Sequence, residues 1–312
     1  MGKGKGYGKV ILFGEHFVVY GLPAIASAIS DYTTAEVEKG KKGLELVDNR
    51  PAVEGYKVKK QGEITRGLDL IMNFLKIDLN KTPLKITLAG NLKCASGIGA
   101  SAAMASAVAR ALNEEFSLGL NDEQINEVAF EGEKGSAGTP SGIDNTCSTY
   151  GGLLVFEKNL GGGKNRIELI DAGKPLKIVL ASTGITQETK EVVADVKAEK
   201  EKRQQEFEEI FSEYKKVFEE GLKALKEGNV EMVGKLMDKN QELLRKMTLS
   251  CEEVERIIDI AKENTAFGAK LTGTGRGGLV ICLAKDLEAQ ERIAKAVETA
   301  GFEASKTSLG KE

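Results

Sequence analysis

Glycine is the residue whose distribution most constrains this chain, because it forms dense clusters with no regular repeat. The 312 residues include 36 glycines but only five prolines, and an average protein has roughly 7% glycine. Sixteen of them fall in four segments, Gly2–Gly14, Gly97–Gly99, Gly132–Gly142 and Gly268–Gly278, while the smaller group Gly161–Gly163 indicates a turn. Because glycine has no Cβ, it allows left-handed turns and close approach of another group. The four clusters therefore indicate places where a ligand or a second segment meets the backbone.

The composition excludes several classes of protein. Hydrophobic residues make up 41% and charged residues 29% of the chain, which is typical of a globular protein with a sizeable core. The 44 basic and 47 acidic side chains give a net charge of -3, which disfavours a nucleic-acid partner and a polybasic membrane anchor. The four cysteines are dispersed and the one histidine is His16, so we expect neither a disulfide framework nor a zinc or multi-histidine centre. No apolar segment suits a membrane span or a signal peptide, so we expect a cytoplasmic protein.

The hydrophobic pattern predicts two α+β domains. In the first, residues 1–160, an alanine-rich helix is predicted from Ser101 to Phe116, and Asn121 is expected to cap the next helix. In the second, residues 161–312, a strand, helices, two strands, a helix and a strand follow in the order of a ferredoxin-like domain with extra helices. Glu188–Lys226 is predicted as one long, charged helix with a solvated face.

The second glycine cluster leads directly into the alanine-rich helix, which indicates an anion site. The segment is Lys93-Cys94-Ala95-Ser96-Gly97-Ile98-Gly99-Ala100-Ser101-Ala102. Free backbone N–H groups and the helix dipole at such a turn suit phosphates. Ser101, in the first helical turn, is placed to offer its hydroxyl to Mg²⁺. The segment is not a P-loop, because no Gly-Lys-Ser/Thr follows the glycines, and a plain tight turn is the alternative interpretation.

Two carboxylates flank the third glycine cluster. Glu133 and Asp144 are separated by a segment whose glycines allow the chain to fold back, so both can reach one cleft from successive helices. Thr139 and Pro140 are expected to begin the helix that carries Asp144. One carboxylate would then hold Mg²⁺ and the other would act as a general base. A solvated surface pair is the alternative.

The first and last clusters contain the remaining candidates. Gly273-Thr274-Gly275-Arg276-Gly277-Gly278 matches the pattern GxGxxG, but the predicted strand Leu279–Ala284 follows it where a dinucleotide-binding site needs a helix. We therefore expect a turn between strands, in which Arg276 supplies a positive charge for a phosphate or a carboxylate. Near the N-terminus, Lys9 and the pair Glu15-His16 flank one short apolar strand.

Together these segments resemble the superfamily of galactokinase, homoserine kinase, mevalonate kinase and phosphomevalonate kinase. Gly8-Lys9-Val10-Ile11-Leu12-Phe13-Gly14-Glu15-His16 is similar to its first motif, Gly97–Ala102 to its phosphate loop and Lys270–Gly278 to its third motif, in family order and spacing. The resemblance implies the two-domain small-molecule kinase fold, with an N-terminal ribosomal-protein-S5-like domain and a C-terminal ferredoxin-like domain. The first motif and Thr139–Asp144 are most similar to the mevalonate kinase branch. That branch phosphorylates the C5 hydroxyl of mevalonate with ATP, in isoprenoid biosynthesis.

The resemblance also implies roles for single residues. Asp144 matches the catalytic base and Lys9 the lysine that pairs with it, while Ser101 and Glu133 match ligands of Mg²⁺. The residues that match the ATP-binding loop are Lys93, Ser96, Gly97, Ile98, Gly99, Ala100, Ser101 and Ala102. The residues expected around mevalonate are Glu15, His16, Thr183, Gly184, Gly273 and Thr274.

Three positions depart from the family pattern, and two other functions stay open. Tyr7 stands where proline is usual, Ala100 where serine is common, and Arg276 where glycine is usual. One alternative is a sibling kinase acting on phosphomevalonate, a sugar or homoserine. Another is a nucleotide-binding regulator without catalysis, which is disfavoured because the matched base, lysine and metal ligands are all present. The sequence leaves a homodimer open.

Overall fold

The computed structural model describes residues 1–94, 97–137 and 140–310. The chain clusters into two compact units: unit 1 comprises Met1–Lys9 and Ala28–Gly151, and unit 2 comprises Val10–Ser27 and the chain from Gly152 onward. Residues 10–27 therefore cluster with the second unit. The domain division at residue 160 stays a prediction.

Ten strands and nine α-helices are assigned within the described ranges. The strands are β1 (Gly2–Phe13), β2 (Ala24–Lys39), β3 (Leu44–Asp48), β4 (Leu84–Gly90), β5 (Leu153–Glu157), β6 (Arg166–Ile170), β7 (Leu176–Ser182), β8 (Gly268–Thr272), β9 (Leu279–Ala284) and β10 (Glu303–Leu309). The α-helices are α1 (Tyr56–Phe74), α2 (Ala100–Glu115), α3 (Asp122–Ala137), α4 (Ile143–Tyr150), α5 (Thr189–Lys202), α6 (Gln204–Lys226), α7 (Val230–Lys246), α8 (Glu252–Glu263) and α9 (Leu287–Thr299). A short 3₁₀ helix spans His16–Tyr20. None of the described helices has the length and apolar character that crossing a bilayer needs.

The core of unit 1 lies between a sheet and three helices. Within the unit, β4 pairs antiparallel with β2 and parallel with β3. Val37 and Ile86 of this sheet are fully buried, as are Leu68 of α1, Val108 of α2 and Ala129 of α3. These elements share one hydrophobic cluster, so the alanine-rich helix α2 is held on the sheet by burial of its apolar face.

Strand β1 packs directly on helix α2, because alternate positions of the strand are glycine. A Cβ added at any of the three glycines would lie 2.0–2.1 Å from a carbonyl oxygen of the helix, which no real side chain permits. We call this contact the glycine seam: Gly2, Gly4 and Gly6 against Ala111, Ala107 and Ala103. The sequence predicts this strand only from Val10 onward, because glycine is depleted in strands.

Unit 2 contains a four-stranded antiparallel sheet in the order β10-β7-β9-β8, with α5 to α9 inserted in the predicted chain order. The ferredoxin-like prediction is therefore confirmed. The prediction of one helix over Glu188–Lys226 is wrong, because Arg203 leaves the helical region with φ -124° and separates α5 from α6. Its guanidinium donates to the carbonyl of Lys246 at the end of α7. A partner for that free helix-end carbonyl favours the break.

Candidate active site

Lys9 and Asp144 form an ion pair in unit 1. The Nζ atom of Lys9 lies 2.7 Å from Oδ1 of Asp144, and the lysine side chain is 7% exposed whereas that of the aspartate is 36% exposed. Burial opposes the charge of Lys9, but the Asp144 carboxylate outweighs it and raises the pKa of the lysine above its usual value. The pair therefore presents an accessible carboxylate backed by a buried cation.

The helix that carries Asp144 begins later than predicted. Its first residue is Ile143, and Gly142 before it has a φ of 94°. A left-handed residue cannot continue a right-handed helix, so Pro140 lies outside α4. The predicted cap, Thr139, lies outside the described residues. Asp144 is in the first turn of the helix, where a negative charge is favourable.

The predicted phosphate loop lies beside Lys9. Gly97 and Gly99 have φ of 76° and 74°, and the backbone N–H of Lys9 donates to the carbonyl of Ile98 at 2.9 Å. A Cβ on Gly99 would lie 3.0 Å from Cγ of Lys9, which is a tight contact, and the positive φ of this residue independently favours glycine. The described first turn of α2, which includes Ala100, Ser101 and Ala102, carries no acidic residue that would repel an anion. Lys93 precedes the loop, and Ser96 lies outside the described residues.

Glu133 is a buried carboxylate next to this loop. It is 5% exposed, and burial, followed by the charge of Asp144, raises its pKa to about 7, while Ser101 and Lys9 oppose that rise. Oε1 of Glu133 has no hydrogen-bond partner among the described residues. The Ser101 hydroxyl lies 3.0 Å from that of Ser136. An unpartnered carboxylate oxygen beside a serine hydroxyl is a donor set that suits a hard divalent cation.

Glycines on α3 hold Glu133 in place by allowing two helices to touch. A Cβ on Gly135 would lie 2.4 Å from the backbone nitrogen of Gly67 on α1, and one on Gly132 would lie 2.7 Å from Cδ1 of Ile71. The third glycine cluster therefore serves helix packing as well as the turn before Asp144.

In unit 2, Glu15 forms an ion pair with Lys270 in which both side chains are completely buried. Lys270 also donates to the carbonyl of Leu271 at 2.6 Å, whereas Oε2 of Glu15 has no partner in the part of the chain that the structure describes. Burial raises the pKa of Glu15 and lowers that of Lys270, and the attraction between the two opposes both shifts. The free oxygen of Glu15 is therefore a buried acceptor.

The other predicted substrate residues of unit 2 lie at the glycine loop between β8 and β9. His16 Nε2 donates to the carbonyl of Thr274 at 2.6 Å, and burial lowers the pKa of His16, which favours the neutral ring. Thr183 donates to the carbonyl of Gly278 through its backbone N–H at 2.9 Å and its hydroxyl at 3.0 Å. The structure thus brings His16 to Thr274 and Thr183 to the end of the same loop. Gly184 and Gly273 have φ of 74° and 94°.

Two residues of this region were not predicted from the sequence. The sequence does contain a signal for Lys270, because it lies in a short strand between apolar neighbours. A lysine at such a position is rarely buried unless it is paired, so the pattern predicts an acidic partner. Tyr214 had no such signal, because in the sequence it is one more apolar residue of the amphipathic helix α6. Its hydroxyl donates to the carbonyl of Pro23 at 2.6 Å, and its ring stacks on Phe17 at 3.8 Å.

Comparison with known proteins identifies the class. Residues 64–152 match the family described as GHMP kinases N terminal domain, and residues 222–303 match GHMP kinases C terminal. The chain is 34% identical to a mevalonate kinase of Methanocaldococcus jannaschii, over 91% of this chain and 92% of that one. It is 32% identical to a mevalonate kinase of Thermococcus gammatolerans, over 97% and 95%. The chain belongs to the GHMP kinase family, and it is an enzyme, a phosphotransferase.

Comparison with solved structures indicates which branch of the GHMP kinase family the chain most resembles. The crystal structure of L. major mevalonate kinase in complex with R-mevalonate matches with a TM-score of 0.94 and 40% identity, covering 100% of this chain and 97% of that one. These three relatives, which are 32–40% identical to this chain and cover more than 90% of it, are mevalonate kinases. The resemblance inferred from the motifs and the two-domain kinase fold are both confirmed.

Proposed function

We propose that this chain transfers the γ-phosphoryl group of ATP to the C5 hydroxyl of mevalonate, giving 5-phosphomevalonate and ADP, in isoprenoid biosynthesis. The observation that carries the proposal is the ion pair of Lys9 and Asp144 beside the glycine turn that begins α2. A general base, a buried cation and an anion-binding helix start are the parts that phosphoryl transfer to an alcohol needs.

Asp144 is the general base. Its accessible carboxylate accepts the proton of the C5 hydroxyl as the oxygen attacks the γ-phosphorus, and the bond from phosphorus to the bridging oxygen of ADP breaks. Lys9 remains charged because its carboxylate partner raises its pKa, so it holds Asp144 in place and stabilises negative charge that develops beside it. Positioning and charge stabilisation supply most of the acceleration in reactions of this type.

The turn from Gly97 to Ala102 binds the phosphates of ATP through its backbone N–H groups, with Lys93 and Ser96 preceding it. Glu133 and Ser101 hold Mg²⁺, which when bound neutralises phosphate charge. The unpartnered Oε1 of Glu133 and its raised pKa fit this role, since a cation would supply the missing counter-charge. Within the described ranges, no three His, Cys, Asp or Glu residues converge on one point. A magnesium site completed by the substrate's phosphates would need fewer protein ligands than such a cluster supplies.

Mevalonate is bound by residues of unit 2. The free Oε2 of Glu15 accepts a hydrogen bond from a hydroxyl group, and the neutral ring of His16 is fixed by Thr274. The remaining residues assigned to this pocket are Thr183, Gly184 and Gly273. Cytoplasmic location and a homodimer stay predictions.

The test is ADP release from MgATP with mevalonate, phosphomevalonate, galactose and homoserine offered separately. Turnover is expected with mevalonate alone. Asp144→Asn should lower kcat by about 10²- to 10⁴-fold, the range for a lost general base, while ATP binding is retained. Asp122→Asn is the matched control, because Asp122 also lies in the first turn of a helix and pairs with a cation, Arg110.

Three results would contradict the proposal. Turnover with another of the four substrates would leave the kinase assignment intact but overturn the substrate. ATP binding without turnover would favour a regulator. Unchanged kcat in Asp144→Asn would remove that residue from the mechanism.

A further inference from the structure

The glycine loop between β8 and β9 contains one residue that its conformation does not favour. Gly273, Gly275, Gly277 and Gly278 all have positive φ, and Arg276 among them has a φ of 54°. The left-handed region is unfavourable for a residue with a side chain, and it persists only where surrounding contacts enforce it. The contacts of Arg276 must therefore offset a backbone that glycine would adopt more easily.

Those contacts fix the loop to two neighbouring segments of unit 2. The Arg276 guanidinium donates to the carboxylate of Asp195 on α5 at 2.5 Å and to the carbonyl of Thr248 at 3.0 Å. A third, longer contact of 3.4 Å reaches the hydroxyl of Thr248, and the backbone N–H of Arg276 donates to the carbonyl of Leu249 at 2.6 Å. Each guanidinium nitrogen thus has a protein acceptor, so the side chain is committed to holding the loop and is not presented to a phosphate.

Helix α5 holds the same loop at a second point. The hydroxyl of Thr189, the first residue of α5, lies 2.8 Å from the hydroxyl of Thr274. The carbonyl of Thr274 is in turn the acceptor for His16. The loop is therefore attached to α5 through Thr274 and Arg276, its two residues that have side chains. The contact through Thr274 is adjacent to the proposed substrate pocket.

We propose that Arg276 is a positioning residue, which clamps the glycine loop to α5 and to the turn after α7 and so holds the Thr274 carbonyl against His16. The inference rests on the proposed function for its effect on mevalonate, but the clamp itself does not. Loosening the loop leaves the ring of His16 without a fixed acceptor. The expected loss is therefore in substrate affinity, and the chemistry at Asp144 in unit 1 is unaffected.

The kinetic experiment uses Arg276→Gly, which removes the clamp and gives the backbone the residue it favours. The KM for mevalonate should rise about fivefold or more, while kcat and the KM for ATP change by less than about twofold. Asp195→Asn should also raise the KM for mevalonate, and Arg276→Lys should raise it less than Arg276→Gly does. The matched control is Lys76→Gly, because Lys76 is an exposed cation with a φ of 56° at the end of α1.

A second measurement needs no substrate. Hydrogen exchange of the amides of Arg276 and Gly278, which donate to Leu249 and Ile185, should be about tenfold faster in Asp195→Asn than in the wild type, as expected for a locally weakened segment. Unchanged exchange and an unchanged KM for mevalonate would overturn the clamp. If the wild type does not use mevalonate, the proposed function fails while the exchange result still decides for or against the clamp.

Discussion

The buried carboxylate Glu133 should make the stability of the metal-free protein fall as the pH rises. Its pKa is about 7 in the folded chain against an ordinary value of 4.5, a difference of about 2.5 units and thus about 3 kcal/mol, at 1.36 kcal/mol for each unit. Between those two values the folded chain retains a proton that the unfolded chain has lost, so raising the pH favours unfolding. The penalty is absent below about pH 4.5 and complete above about pH 7.

The measurement is urea denaturation of metal-free wild type and Glu133→Gln. Glutamine cannot ionise, so the stability of the variant relative to the wild type should increase by about 3 kcal/mol between about pH 4.5 and pH 8.5. Asp144→Asn removes the negative charge that is the second cause of the raised pKa of Glu133. The loss of stability with rising pH should therefore be complete at a lower pH in this variant. Asp122→Asn serves as the control and should leave the profile unchanged. A stability difference between Glu133→Gln and wild type that is constant over this range would refute the reasoning.

Other predictions concern packing and buried polar groups, and denaturation measures each. Gly4→Ala should destabilise the protein by about 3 kcal/mol, the upper end of the usual range for overpacking, because the new methyl group meets backbone. Gly62→Ala, in open space on α1, should instead stabilise the protein by up to about 1 kcal/mol, and equal effects of the two substitutions would contradict the glycine seam. Lys270→Met should cost about 3–5 kcal/mol because Glu15 is left buried without a cation, and adding Glu15→Gln should recover part of the loss. Tyr214→Phe should cost about 1 kcal/mol for the lost hydrogen bond, and no change would show that the bond contributes nothing.

The sequence predicts the elements whose signals are local. Asn121 caps α3 as expected, since its side-chain oxygen accepts from the backbone N–H of Gln124, while the side-chain oxygen of Gln124 accepts from the backbone N–H of Asn121. The pattern GxGxxG lies between two strands, as the apolar residues after it indicate. The glycine turn before the alanine-rich helix is likewise visible from composition alone.

The remaining features depend on residues far apart in the chain. The pair of Glu15 and Lys270 joins positions separated by 255 residues, and no periodicity in either segment points to the other. The first half of β1 cannot be predicted from the sequence, because glycine is depleted in strands. Its glycines are explained only by the contact with α2. The break at Arg203 is accompanied by a hydrogen bond to the end of α7. The hydrophobic pattern of α5 and α6 contains no trace of that contact, so it predicts one continuous helix.

The glycine seam has a mechanical consequence for Lys9. Where two backbones touch, no rotamer can change to absorb a displacement, so the strand and the helix move together as a stiff body. Lys9 follows the seam along β1, and Gly99 precedes α2, so the stiffness of the seam carries over to the distance between the lysine and the phosphate loop. A side chain introduced at Gly6 would push β1 away from α2 close to Lys9. We therefore expect a lower rate of phosphoryl transfer as its first measurable effect.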